Sequence, residues 1–278
     1  MSPSRRCSTG SDPAAGFALL IVLWAMALLA LLGSQLVAAA RGNIAVAHNL
    51  RIGAEAEAAS YGAVQEAIFH LLDRSGRHWS ADGTVHQVDI GTVHALVTIT
   101  DDGSKLNLNL ASPRLLQALL LECGADSSTA ISLAAAIVDW RTPGSQARAR
   151  GAKAPQYAAA GRNYAPPGAP FRSVAELQGV LGMTPRLMAR IRPHLTVFTD
   201  TNPDRWSSDA VVDAAVTSLN GARPPMSGND AGAVMIATIQ VRVSGMGSSA
   251  SRTEAVIRLN ARPRGLPYEI LAFQRPAD

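Results

Sequence analysis

Cysteine is nearly absent. The 278 residues hold only Cys7 and Cys123, so an exported chain would depend on burial and hydrogen bonding, which its size permits, and not on a disulfide framework. No HExxH and no paired Cys/His spacing occurs, and the sequence offers no ready zinc site. Gly-rich phosphate loops, dinucleotide fingerprints and the G-x-S-x-G order are missing too, which removes the common motif-bearing enzyme classes. Charge is sparse: 17% of residues are charged and the net charge is +4. That is too mild to argue for nucleic acid by itself. Proline is absent between Pro13 and Pro113, and no carboxylate lies between Thr142 and Ala175.

What is present begins at the N-terminus. Phe17 to Ala40 form an uncharged run of 24 residues, about 36 Å as a helix against a hydrocarbon core of about 30 Å. Arg5 and Arg6 precede it and favour a cytoplasmic N-terminus, although Arg41 and Arg51 follow it. The helical pattern continues through Ile52, Ala56, Ala59, Ala63, Ala67 and Leu71 on one face, and Ser75-Gly76 ends it. A cut after Gly16 would remove the basic tail, leave +3 on the mature chain by taking Arg5, Arg6 and Asp12, and keep the apolar helix. This arrangement resembles the leader of type IV pilins and pseudopilins. An uncleaved signal anchor remains the plainer alternative. With the leader gone Cys123 is alone, and it reads as a packed residue at a helix end.

Strand signals follow over residues 84–90 and 93–100, then an Asp101-Asp102-Gly103-Ser104 turn and a further strand over 105–110. The pattern then becomes helical. Ser112-Pro113 opens one helix to Glu122, stopped by Gly124, and Asp126 caps the next, to Trp140. Residues 141–170 read as a long loop rich in Gly, Pro and Arg. Ser173-x-x-Glu176 is a capping box for a helix through Leu181, Thr184-Pro185 starts another, and 209–219 form one more short helix. Residues 234–243, 253–259 and 268–273 read as strands. Sheet elements on both sides of a helical block imply an insertion into one sheet, since three short strands alone would be too few for stability.

Several motifs then resemble one family in order. They are Gly16-Phe17-Ala18-Leu19-Leu20, Leu106-Asn107-Leu108-Asn109, Leu115-Leu116, Ala136-Ile137-Val138-Asp139-Trp140-Arg141, Gly161-x-x-Tyr164, Pro170-Phe171-x-Ser173-Val174-x-Glu176-Leu177, Leu181-Gly182-Met183-Thr184-Pro185 and His194-Leu195-Thr196-Val197. Together they are similar to general secretion pathway protein K, the large minor pseudopilin of type II secretion. The resemblance implies an α+β, pilin-like fold: a long N-terminal transmembrane helix packed on an antiparallel sheet, with an all-α domain of helix-hairpin-helix or SAM-like kind inserted in it. The expected divisions are a leader at 1–16, the long helix at 17–75, sheet at 76–107, the insert at 108–196 and sheet again at 197–278. It further implies a non-enzymatic subunit at the tip of a periplasmic pseudopilus, single-pass in the bacterial inner membrane with its bulk in the periplasm. The implied partners are I- and J-like minor pseudopilins, the major pseudopilin and the prepilin peptidase. Cleavage would follow Gly16, with N-methylation of Phe17. The fifth mature position, glutamate in most pilins, is Ile21 here, and its missing carboxylate suits a top-most subunit that neutralises no neighbour above it.

The family has been associated with calcium in the helical domain, but calcium needs six to eight oxygens, several charged. Asp139 stands alone among Arg141, Arg148, Arg150 and Lys153, so no metal and no other cofactor is carried over. His70, His78, His86 and His94 recur every eight residues across helix, loop and strands, a spacing that fits no ligand set. Ser244 to Ser249 read as a flexible hairpin loop. Residues 181–191 resemble a helix-hairpin-helix, which raises a membrane-anchored DNA-binding protein as the alternative. Thr184 stands where such a hairpin needs a second glycine, and Tyr157 and Tyr164 are the only aromatics of the basic loop. Protein docking is therefore expected, and no nucleic acid.

Overall fold

The computed structural model describes residues 13–91, 93–203, 207–220, 234–244, 251–260 and 266–275. Residues 1–58 and 59–278 are two compact units. In the first, the described residues belong to helix α1 (Pro13–Leu72). Its described side chains up to Leu50 are exposed, among them Phe17, Ile21 and Trp24. Among the described residues no helix is long and apolar enough to cross a membrane. Residues 1–12 lie outside the description, as do the side chains of residues 13–16, Ala18, Leu19 and residues 36–45. The expected leader therefore falls outside it except for the backbone of residues 13–16, and of the expected span Phe17–Ala40 only some side chains fall outside.

The second unit starts within α1, where Ala59, Ala63, Val64, Ala67, Ile68 and Leu71 form a buried stripe at helical spacing. The stripe is rich in alanine, which permits close approach to a sheet. Gly62 shows the closeness: a Cβ there would lie 3.4 Å from Ile90. The sheet is antiparallel, in the order β1 (Asp82–Ile90), β2 (Val93–Asp101), β5 (Met235–Ser244), β6 (Ser251–Leu259), β7 (Tyr268–Gln274). Alternation sets its faces. Ala95, Val97 and Ile99 of β2, Ile239, Val241 and Val243 of β5, and Ala255 and Ile257 of β6 are buried on one face. Tyr268 ties β7 to α1 by donating its hydroxyl hydrogen to Gln65 Oε1 at 3.1 Å.

β2 and β5 are neighbours, with Asp101 opposite Ala237. Everything between them therefore leaves the sheet and returns. The excursion contains β3 (Leu106–Asn107), α2 (Pro113–Glu122), α3 (Ser127–Arg141), α4 (Ala154–Ala159), α5 (Pro185–Ile191), β4 (Leu195–Thr196) and α6 (Ala210–Asn220). Its own core includes Leu108, Leu116, Leu119, Leu133, Ile137, Tyr157, Leu177 and Ile191, all at most 1% exposed. Caps start the helices as expected. Ser112 Oγ accepts from Leu115 N–H at 3.2 Å, Asp126 Oδ1 from Ser128 and Thr129 N–H at 3.0 Å each, and Thr184 Oγ1 from Leu187 N–H at 3.2 Å. Gly124, with φ of 83°, ends α2 in the left-handed conformation.

Three expectations need correction. The strand foreseen over 105–110 is only β3, and it pairs in parallel with β4, so residues 108–110 turn away to start the insert. The long loop 141–170 contains α4 and the buried residues Ala152, Lys153 and Tyr157. The capping box at Ser173 starts a 3₁₀ turn, Val174–Gly179, rather than an α-helix. Glu176 reaches past Ser173 to accept from Arg172 N–H at 3.1 Å, and Gly179 abuts Trp140, where a Cβ would meet Cη2 at 2.7 Å. The expected hairpin loop 245–249 lies outside the described residues.

Candidate functional site

The sequence motifs converge on the base of the insert. Asn107 and Asn109 alternate with Leu106 and Leu108, which are fully buried. Their amides satisfy backbone that no ladder reaches. Asn107 Nδ2 donates to Thr199 O, and Asn109 exchanges two bonds with Phe171, donating to its carbonyl at 2.9 Å and accepting from its N–H at 2.7 Å. Arg141 donates to the carbonyls of Leu108 and Ala111. Trp140 stacks on Phe171 with centroids 5.9 Å apart, and Tyr157 Oη accepts from Leu181 N–H at 2.9 Å. Asn107, Asn109, Trp140, Arg141, Tyr157 and Phe171 thus each supply a bond or a packed ring that closes the insert. None of these groups is presented to solvent as a reactive centre.

Asp102 joins the insert to the sheet. Its carboxylate is 2% exposed. Oδ1 accepts from Lys105 Nζ at 2.6 Å and Thr238 Oγ1 at 2.7 Å, and Oδ2 accepts from Thr196 Oγ1 at 2.8 Å. The turn, β4 and β5 therefore meet on one buried charge. Sequence reading saw Asp102 only as a turn residue. No local signal could show more, because Thr196 and Thr238 are 94 and 136 residues away.

The second buried charge is Lys153, 3% exposed. Its Nζ donates to the carbonyls of Asp139, at 2.6 Å, and Thr142. The Asp139 carboxylate is also buried, accepting from Arg148 N–H at 3.0 Å, with Arg148 Nε at 3.5 Å. Gly151 presses on it so closely that any side chain there would collide with Oδ2. Oxygens suited to a hard cation are gathered here, but an ammonium and a guanidinium already occupy them. Among the described residues no group of three His, Cys, Asp or Glu is placed to hold a metal. These residues do not fit calcium.

The four spaced histidines do not meet at one point, although two of them share a neighbour. His70 and His86 stack on opposite sides of Trp79, with centroid distances of 4.1 and 4.0 Å. His78 Nδ1 lies 3.2 Å from Asp73 O, and His94 Nδ1 lies 2.6 Å from Asp89 Oδ1. Cys123 Sγ is buried against the carbonyl of Arg190, and burial together with Asp209 and Glu122 pushes its thiol up to about 11. A thiol so hard to ionise is a packing group and not a nucleophile. Nearby, His194 Nδ1 and Asp209 Oδ2 are 2.6 Å apart. Burial alone would raise the Asp209 carboxyl, but the His194 hydrogen bond and the N–H groups of Val211 and Val212 hold it below the usual range.

Of the residues assigned to processing and assembly, Gly16, Phe17 and Ile21 all lie in α1. Phe17 and Ile21 are 68% and 53% exposed, while the surroundings of Gly16 lie outside the description. At the helix-hairpin-helix resemblance, Thr184 caps α5 with its own side chain, accepting from Leu187 N–H at 3.2 Å.

With this geometry established, three similarities bear on it. The profile of the family described as type II secretion system (T2SS), protein K, first domain, matches residues 93–200. The type II secretion system protein K of Klebsiella pneumoniae is 27% identical over 169 residues, which are 53% of this chain and 51% of that protein. The chain thus matches about half the length of this curated relative. Among solved structures, a chain of the GspK–GspI–GspJ complex from enterotoxigenic Escherichia coli superposes with a TM-score of 0.59 at 14% identity, covering 86% of this chain and 99% of that one. That likeness is one of fold.

Proposed function

We propose that this chain works as a minor pseudopilin at the tip of the secretion pseudopilus, a reading supported by the match of residues 93–200 to the type II secretion system protein K family. The observation that carries the reading is the insert itself. A helical domain closed by β3 and β4 interrupts an antiparallel sheet between β2 and β5, and its signature residues Asn107, Asn109, Trp140, Arg141 and Tyr157 serve internal hydrogen bonding and packing. Such a subunit acts by presenting surfaces to other subunits and catalyses nothing.

In this reading the peptidase cuts between Gly16 and Phe17 and Phe17 is methylated. The run Phe17 to Ala40 then anchors the chain in the inner membrane, with residues 59–278 in the periplasm. I- and J-like minor pseudopilins and the major pseudopilin are its partners. Ile21 supports the terminal position. A filament core of low dielectric penalises an unpaired α-amino charge by several kcal/mol. A subunit with no carboxylate at this position cannot neutralise a neighbour stacked beyond it, whereas its own amine can be met by a glutamate from below. The insert needs no calcium, because the Lys153 ammonium supplies the positive charge at the carbonyls of Asp139 and Thr142.

Co-purification tests the assignment. The detergent-solubilised full chain, mixed with I- and J-like minor pseudopilins, is expected to elute with both as one complex. Separate elution, together with micromolar duplex-DNA binding that weakens steeply with salt, would instead support the DNA-binding alternative.

A further inference from the structure

The sheet has a second face, and the insert covers only one end of it. Between that face and the insert runs a cleft of about 520 Å³, lined by Gln240, Arg252 and Glu254 of the strands and by Arg172 and Arg192 of the insert. The volume lies within the range of ligand-holding clefts.

Its charges are poorly matched. Arg252 stands directly opposite Arg242 across the β5–β6 ladder, and like charges in that position repel. Arg252 Nη2 donates to Gln240 Oε1 at 3.1 Å, but its Nε is buried with no acceptor. Arg192 and Arg242 form no ion pair among the described residues. Of the carboxylates that line the cleft, Asp102 is neutralised by Lys105 and bonded by two threonines, while Glu254 accepts from the amide of Gln274 at 3.2 Å and pairs with neither Arg252 nor Arg192. Arg252 thus lines the cleft with no carboxylate paired to it among the described residues, and a guanidinium so placed suits a planar anion.

We propose that this cleft binds an acidic segment of another polypeptide, with one carboxylate received by Arg252 and Arg192. This goes beyond the pseudopilin assignment: it concerns a site on the sheet and insert, and it holds or fails independently of where the subunit sits. Arg252 offers the Nη hydrogens that Gln240 leaves free, and Arg192 closes from the lip. An extended segment suits the cleft better than a folded surface, because the insert and the sheet wall it on two sides.

The probe is a fluorescein-labelled hexapeptide of alternating Ser and Asp, titrated by anisotropy against the detergent-solubilised full chain. Its Ser/Asn counterpart and a six-nucleotide single-stranded DNA run in parallel. Saturable, salt-sensitive binding of the Asp peptide is expected, with little of the other two. Arg252→Gln and Arg192→Gln should each weaken it about tenfold, the loss of one charge-assisted hydrogen bond, while Arg150→Gln on the far loop leaves it unchanged. Equal binding of the Ser/Asn peptide, preference for the oligonucleotide, or an undiminished affinity in both arginine variants would overturn the proposal. Should Arg252→Gln fail to fold, Arg192→Gln on the exposed lip decides alone, and unchanged affinity there refutes it.

Discussion

Replacing Lys153 by methionine tests whether a buried ammonium organises the insert. The substitution keeps most of the apolar stem but removes the donors that reach the carbonyls of Asp139 and Thr142. Hydrogen bonds from a charged group contribute about 1.5–3 kcal/mol each, so two amount to about 3–6 kcal/mol. Against this, the variant no longer desolvates an ammonium that is 3% exposed in the native protein, a relief of up to several kcal/mol. The buried carbonyls left without donors tip the balance, and a net loss of about 2–4 kcal/mol is expected. For a domain of this size that corresponds to a Tm about 5–15 °C lower. The assay is thermal unfolding of the full chain in detergent, followed by circular dichroism, for both proteins with and without EDTA. The native protein should be indifferent to EDTA. A Lys153→Met variant melting within about 2 °C of the native protein, or a native Tm that falls on chelation and recovers with calcium, would refute the reasoning.

Asp102→Ala removes the shared anchor of Lys105, Thr196 and Thr238 and strands a largely buried ammonium, so a loss of about 3–5 kcal/mol in chemical denaturation is expected. The depressed carboxyl of Asp209 makes stability depend on acid. Its contribution is full above the unfolded carboxylate value of about 3.9 and is lost as pH falls through the lower folded value, so Asp209→Asn should flatten the stability profile below about pH 4. N-terminal sequencing of the membrane-extracted protein should begin at methylated Phe17, and a bulky residue in place of Gly16 should leave the precursor uncut. Label placed on this subunit should be found at the ends of sheared pseudopili, and label spaced along the shaft would show the inference from Ile21 to be wrong.

The sequence by itself determined the elements whose causes are local. The Ala59, Ala63, Ala67 and Leu71 stripe, the caps at Ser112, Asp126 and Thr184, the stop at Gly124 and the strands of the sheet all depend on residues within a few positions of one another. Alternation and helical period act over such distances, and both were legible. The insertion was legible as well, since strand signals flank a helical block. Only the tertiary structure decided which residues form the seams. Residues 108–110 leave the strand because Leu106 and Asn107 find a parallel partner 89 residues on, at Leu195 and Thr196. The basic loop is ordered because Lys153 folds back onto carbonyls of Asp139 and Thr142, and Asp102 became a buried junction because Thr196 and Thr238 come to it from far along the chain. Whether a buried charge has partners is set by what folding brings within about 3 Å, and residue spacing along the chain does not encode that distance. The unmatched guanidiniums of the cleft belong to the same class. Arg192 and Arg252 are ordinary surface residues in the sequence, and only the packing of the insert against the sheet sets them on one cleft.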